Sequence, residues 1–464
     1  MKKITLNILF FTIAIFACGS GSGPGNLPVV DTNNTEKATP EDEGKETYFP
    51  LKAWRVNENN DFKDANSQFN IHRMIETPNL TAFWEAPFGS DPSKCADEKY
   101  RFDIHDIMAE GDKMFNFFRD ELKFAKKGNS ISDKYRFILF FYYSDEGTVY
   151  GGGVDDKVGA MWITPNRVKR GPYGAIAHEM GHSFQHLVRA DGYFGYSERP
   201  AGSRGQAIGE LTSQYMLWQY YPNWIVFENY HLVAFMNNTH KTFLHEDIQY
   251  NAPFVLEYWA GKHGKDIVAR LWYESVKGED PALTYMRITN TDQVKFNAEL
   301  FDAYRRFITW DMDRIRDVSS PYINQHTTKL NPVDGGWYRI DHSKCPQNYG
   351  YNGIKLNVPA AGTEVKVDFK GIAGAEGYTA VNIDKAGWHY GFMAYKNNGE
   401  RVYSDVYIDA EGIAKFTVPE NTANLWLVVM GAPKEHWIHL WVEDKNSYEQ
   451  WPYEIKITGT TIAE

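Results

Sequence analysis

The stretch Ala175-Ile176-Ala177-His178-Glu179-Met180-Gly181-His182-Ser183-Phe184-Gln185-His186 decides how this chain of 464 residues is read. It holds the pattern His-Glu-x-x-His. On a helix, residues at i and i+4 project from one face, about 5–6 Å apart at Cβ, so the neutral imidazoles of His178 and His182 can grip one Zn²⁺. Glu179 lies roughly 100° round the helix from His178, beside the ion instead of on it. There it can take a proton from an attacking water and hand it to a leaving amine. Tyr173, Ile176, Ala177, Met180, Phe184 and Leu187 give the apolar surface of a helix, and Pro172 suits a first turn. Gly181 costs about 1 kcal/mol relative to alanine in a helix, which predicts that something approaches the backbone closely there. Taken alone, the three polar residues could equally be ordinary surface or core side chains. The apolar helix around them, a signal for export and a suitable third ligand favour the metal.

A metzincin would place its third histidine at position 188, which is Val188. His186 continues the face of His178 and His182 and reads as a packing or supporting histidine. The stronger third ligand is Glu210, in the helical stretch 205–222 that ends at Pro222. Ile208, Leu211, Tyr215 and Trp218 keep helical spacing around it. A lone carboxylate in an otherwise uncharged helix wants a partner, and a metal is one. The competing reading is a helix-start glutamate favoured by the macrodipole.

His-Glu-x-x-His followed by a glutamate on a second helix resembles the gluzincin clan of zinc metallopeptidases. Gly209-Glu210-Leu211-Thr212-Ser213-Gln214-Tyr215 is similar to the glutamate helix of its enhancin-like, mucin-degrading branch. From about Phe83 to Asp317 the chain also resembles an uncharacterised domain-of-unknown-function family of bacterial surface lipoproteins. The shared phrases are the run 150–162 (Tyr-Gly-Gly-Gly-Val-Asp-Asp-Lys-Val-Gly-Ala-Met-Trp), the His178 segment and the run 228–235 (Glu-Asn-Tyr-His-Leu-Val-Ala-Phe). The gluzincin resemblance implies two further features. Gly159, Ala160, Met161 and Trp162 would form an edge strand pairing with an extended substrate, the alternative being a plain buried strand. A downstream His245 or Tyr250 would stabilise the oxyanion, with Tyr230 and His231 as weaker candidates that read first as core.

Lys2 and Lys3 precede an apolar run, Ile4 to Ala17, that stops at Cys18. This is a lipoprotein signal peptide at 1–17, too short to span as a mature helix, with Cys18 the acylated residue. Residues 18–45 read as a disordered tether. The expected localisation is that of an exported bacterial lipoprotein on the outer membrane or cell surface. A formal net charge of −11 argues against a nucleic-acid partner. Beside Cys18 only Cys95 and Cys345 remain, as one disulfide or as two free thiols.

The fold expected is α+β. A gluzincin-like zinc peptidase domain at 46–330 combines a mixed sheet with a helical subdomain, and a β-sandwich follows at 331–464. In the first, strand-like Asn79 to Trp84, a helix from Ile104 to Leu122, the apolar run Tyr135 to Tyr143 and a helix from Thr291 to Ile308 stand out. In the second, Val365, Val367 and Phe369 alternate with charged residues, Leu425 to Met430 is apolar, and Glu454 to Thr458 alternates again. Trp388, Tyr390, Trp426, Trp437, Trp441 and Trp451 could form a glycan-stacking surface or fill the core. The function expected is a zinc-dependent endopeptidase acting on extracellular proteins or glycoproteins. The alternative is a non-catalytic surface lipoprotein that binds glycans or proteins around a structural zinc.

Overall fold

Three largely apolar, fully buried strands lie in the middle of the first sheet. In chain order, β1 (Met74–Glu76), β2 (Leu80–Trp84), α1 (Ile104–Asn116), β3 (Phe137–Phe141), β4 (Val149–Val154) and β5 (Val158–Ile163) build this layer. The sheet order is β1-β2-β3-β5-β4, parallel across β2, β3 and β5 and antiparallel at both margins. Parallel strands are covered on both faces, and the side chains divide accordingly. Leu80, Ala82, Phe137, Leu139, Met161 and Ile163 enter a core with the helices, while Phe83, Ile138, Phe140, Ala160 and Trp162 pack on Phe62 and Phe69 of the preceding segment. The computed structural model describes residues 44–197, 207–438 and 448–463. The expected signal peptide, Cys18, almost all of the tether and Trp441 lie outside them.

The helix α1 is capped by Asp103, whose carboxylate accepts from the backbone of His105 and Asp106. The expected continuation to Leu122 is a π-helical turn, Phe117–Glu121. After β5 come α2 (Gly174–Ala190), α3 (Ala207–Tyr220), α4 (Trp224–Phe227), α5 (Tyr230–Met236), α6 (Phe254–His263), α7 (Ile267–Glu274), α8 (Pro281–Ile288), α9 (Gln293–Phe307) and α10 (Arg316–Ser319). The cap of α9 is Asp292 and not the expected Thr291, one residue earlier: the Asp292 carboxylate accepts from the Lys295 N–H.

The C-terminal strands are β6 (Leu330–Val333), β7 (Trp337–Ile340), β8 (Tyr351–Leu356), β9 (Glu364–Gly371), β10 (Trp388–Lys396), β11 (Arg401–Tyr403), β12 (Glu411–Thr417), β13 (Thr422–Gly431) and β14 (Tyr453–Thr458). They form two antiparallel sheets, ordered β11-β10-β13-β8 and β12-β9-β14-β7-β6. Val365, Val367 and Phe369 of β9 share a core with Tyr390, Phe392 and Ala394 of β10. The other face of β10 and β13, through Met393, Trp426 and Val428, joins the core of the helical region. The protein is thus a mixed α+β structure in which the segments before and after residue 330 share apolar packing.

Four of the six aromatic rings considered for glycan stacking, Trp388, Tyr390, Trp426 and Trp451, are buried in these cores. Trp437 is partly buried against Trp451. Burial of a large ring contributes more than exposure would, so the stacking surface is replaced by core. Cys95 and Cys345 are both buried and free, and they belong to different cores. Among the described residues no helix is long and apolar enough to cross a membrane.

Candidate metal centre

The helix α2 is gripped from two sides. Toward the sheet, the Ser183 hydroxyl donates to the Ala160 carbonyl at 3.1 Å. Toward α3, a Cβ on Gly181 would stand 2.9 Å from Ser213 Oγ and 3.0 Å from Ser213 Cα, so only glycine permits this helix crossing. That close approach is the one the sequence predicts at Gly181. It brings Glu210, on the otherwise buried α3, opposite the two histidines.

His178 Nε2 and His182 Nε2 each lie 3.1 Å from the same oxygen, Oε2 of Glu210. Bonds of about 2.0–2.1 Å to a tetrahedral ion separate neighbouring ligand atoms by roughly 3.3 Å, so each of these two distances matches an edge of such a site. Ligand atoms of His178, Glu179 and His182 also lie within 4.8 Å of one another, which keeps Glu179 beside the triad. Burial alone would raise the Glu210 carboxyl, yet the two imidazoles outweigh it and hold it well below the usual carboxylate range. Glu179 goes the other way. Burial, reinforced by the Glu210 charge and opposed by His178, pushes it up to about 7.

The second nitrogen of each histidine is occupied. His178 Nδ1 lies 3.1 Å from Gln214 Oε1, and His182 Nδ1 lies 3.3 Å from Gln185 Oε1. An amide oxygen only accepts, so Nδ1 of each ring carries a proton, and Nε2 is the nitrogen each ring presents to Glu210 and would offer to an ion. Gln185 is fixed in turn by donating to the Gly209 carbonyl (2.7 Å) and to Ser213 Oγ (3.0 Å). Gln214 donates to the Tyr250 carbonyl (2.7 Å) and faces His231 Nε2 (3.3 Å), whose Nδ1 lies 2.6 Å from Asn251 Oδ1. These residues fit a divalent ion: three donors converge, and both imidazoles are held with Nε2 inward.

The two downstream candidates part company. Tyr250 joins the site, its ring centroid 6.0 Å from that of His178, and burial followed by the nearby Glu210 charge pushes its phenol pKa up. His245 does not. It is 1 % exposed, accepts the Asp247 N–H at 3.0 Å as a helix cap and packs edge-on against Tyr448. A ring so enclosed cannot meet a substrate. His231 is half-buried in the support network and pushed down to about 4 by desolvation, and exposed Tyr230 lies against it. His186 is buried beneath Gly153, where a Cβ would collide with its ring, and stays out of the ligand group.

The expected edge strand is also corrected. Gly159, Ala160, Met161 and Trp162 lie in β5, buried throughout between β3 and β4. The edge is β4, which runs antiparallel to β5 with Gly151 opposite Met161 and Gly153 opposite Gly159. Its glycines let it lie on α2. A Cβ on Gly151 would stand 1.9 Å from the Glu179 carbonyl oxygen. Gln185, Gln214 and Gly151 were not among the sequence candidates. Gln185 lies three residues past His182 and Gln214 four past Glu210, so helical spacing was the available signal.

A mixed α+β protein in which two histidines and a glutamate meet in a group that could hold a metal ion is therefore what fold and site define. The chain belongs to a family of unknown function, DUF6055, whose model matches residues 40–464 and so reaches through the C-terminal sheets. No curated protein matches it. Among solved structures it has a likeness, at 11% identity and a TM-score of 0.15, to a chain of the glycosylation-associated protein (Gap123) complex from Streptococcus agalactiae. That alignment covers 28% of this chain and 38% of the other, and such a TM-score carries no inference.

Proposed function

We propose that the protein is a zinc-dependent endopeptidase of gluzincin type, with a C-terminal β-sandwich, exported as a lipoprotein and acting on extracellular proteins or glycoproteins. The observation that carries this reading is the shared 3.1 Å distance from His178 Nε2 and His182 Nε2 to Glu210 Oε2. When bound by these three residues, the ion supplies Lewis-acid polarisation of a carbonyl and acidification of a water. Glu179, within the same cluster and near neutrality in its protonation, takes the proton of the attacking water and returns it to the leaving amine. Tyr250, half-buried across from His178, donates its hydroxyl proton toward the developing oxyanion. Gln185 and Gln214 keep the imidazoles turned inward, and the exposed margin of β4 offers backbone groups to an extended peptide.

Zinc stoichiometry and turnover test the reading together. Wild type and Glu179→Gln are each expected to bind one zinc, while only wild type cleaves a mixed glycoprotein substrate. His182→Ala and Glu210→Ala are expected to lose stoichiometric zinc. A wild type that binds zinc yet cleaves nothing that Glu179→Gln leaves intact would overturn the peptidase assignment.

A further inference from the structure

Tyr250 reaches the metal centre on the connector between α5 and α6, residues 237–253, which is built of turns around one 3-10 element, Glu246–Ile248. A turn segment takes its position from whatever holds it, and a site carried on one is only as exact as that support. Here the C-terminal region does the holding. Lys344 donates to the Asn237 carbonyl at 2.6 Å, the Tyr351 N–H to the Thr239 carbonyl at 2.7 Å, and the Gln347 N–H to the His240 carbonyl at 2.9 Å. The Gln347 side chain then accepts the Thr242 N–H at 3.1 Å.

The last grip before Tyr250 is Tyr448. Its hydroxyl lies 3.0 Å from both carboxylate oxygens of Glu246, and its ring meets His245 edge-on with centroids 4.8 Å apart. A phenol donating to a carboxylate is a charge-assisted hydrogen bond, stronger than a neutral pair. Tyr448 is rooted in turn: it is buried, its neighbour Glu449 accepts the Asn348 N–H at 3.1 Å, and Trp451 lies in the C-terminal core. Beyond the clamp, the Ile248 N–H returns to the His245 carbonyl at 3.1 Å and the Asn251 N–H to the Ile248 carbonyl at 2.8 Å. The Tyr250 carbonyl accepts from Gln214, the residue that meets His178. Tyr250 is thus held from two ends, one in the helices that carry the ligands and one in the C-terminal sheets.

We propose that the C-terminal region is a working part of the site: Tyr448, through Glu246, is a positioning residue that sets where the Tyr250 hydroxyl stands. This rests on the peptidase reading and adds the means by which that site is kept in register. It gives the C-terminal sheets a role in turnover that needs no ligand of their own.

Two measurements on the full, zinc-loaded chain test it. The first is steady-state kinetics on a peptide that wild type cleaves. Tyr448→Phe keeps the ring on His245 and removes only the hydroxyl. It is expected to lower kcat by about 10-fold, because small misplacements of a reacting group are costly, with KM, zinc stoichiometry and melting temperature unchanged. On a Tyr250→Phe background the same substitution should have no further effect, since the two act as one unit. Glu246→Ala should reproduce Tyr448→Phe, whereas Glu246→Gln, which keeps an acceptor oxygen, should retain the wild-type kcat. The second measurement needs no turnover: 3-fluorotyrosine placed at position 250 alone gives one fluorine resonance, which Tyr448→Phe and Glu246→Ala should shift or broaden and Glu246→Gln should not.

Full kcat in Tyr448→Phe, or a loss that persists undiminished on the Tyr250→Phe background, overturns the positioning role and spares the peptidase. If Tyr250→Phe itself leaves kcat intact, there is no group to position and the proposal falls. If wild type cleaves no peptide, the peptidase reading falls and the fluorine resonance decides the clamp on its own: a resonance that ignores both Tyr448→Phe and Glu246→Ala overturns it. Should Tyr448→Phe fail to fold, Glu246→Ala set against Glu246→Gln carries the same comparison.

Discussion

Gln214 separates holding an ion from doing chemistry with it. It touches no substrate-facing atom, yet its amide oxygen fixes the His178 tautomer while its amide nitrogen ties down the Tyr250 backbone. Loss of such an outer partner typically weakens metal binding about 10- to 100-fold. Gln214→Leu is accordingly expected to weaken zinc affinity by that factor in chelator competition, whereas Gln214→Glu, which keeps an acceptor oxygen, should retain most of it. If Gln214→Leu binds zinc as wild type does, the tautomer argument is wrong. At this scale the site was legible wherever its geometry is local. His178, Glu179 and His182 lie within five residues, and helical spacing alone puts the imidazoles on one face. Glu210 was legible as a charge stranded in an apolar helix. Choosing Tyr250 over His245 depended on how the chain folds back between α5 and α6, and no spacing encodes that.

At the scale of elements, the contact of β4 with α2 governs how closely the edge of the sheet lies on the helix that carries His178 and Glu179. The three glycines of β4 are not equivalent. A Cβ at Gly151 meets the Glu179 backbone at 1.9 Å and one at Gly153 meets the His186 ring at 1.9 Å, but one at Gly152 finds nothing nearer than Trp162 at 3.8 Å. Gly151→Ala is expected to cost about 1–3 kcal/mol, as overpacking does, and to reduce turnover by moving the strand off Glu179. Gly152→Ala should be close to neutral in both. Urea unfolding and peptidase rates on the two variants check this, and equal effects would rule out the proposed packing. The same contact explains the misplaced edge strand. β5 is the apolar run and therefore attracts the eye as a strand, yet continuous apolarity marks a strand with neighbours on both sides. The true edge is glycine-rich, which depresses every strand signal, and its glycines are required by a helix some 30 residues further along.

At the scale of the whole molecule, the helical region and the C-terminal sheets meet at the buried His326 and His389 and the half-buried His240, rings that have to stay neutral. His326 lies among Trp310, Tyr351 and Trp426, its Nε2 2.7 Å from the Tyr351 hydroxyl, and burial lowers it from 6.5 to about 3. His389 of β10 packs edge-on against Phe301 of α9 and is lowered to about 4 by burial and by Arg305. His240, whose carbonyl accepts the Gln347 N–H, is lowered to about 3 by burial and by Lys344. The aromatic wealth of the C-terminal segment was legible as strands but not as surface or core, because alternation shows that a face is buried without naming what buries it. Here a second face of β10 and β13 packs on the helical region, and the histidines are caught between. Since each ring binds a proton more weakly folded than unfolded, the unfolded state carries more protons between about pH 6.5 and pH 3, and unfolding free energy rises with pH across that window. The junction is fully stable above pH 6.5 and loses stability on acidification, each ring contributing of order 1.4 kcal/mol per pH unit. Urea midpoints measured from pH 7.5 to pH 4 should therefore fall steadily, and His326→Gln should flatten the slope while lowering the plateau at neutral pH. A pH profile identical in wild type and His326→Gln would show that the junction does not depend on a neutral ring at that position.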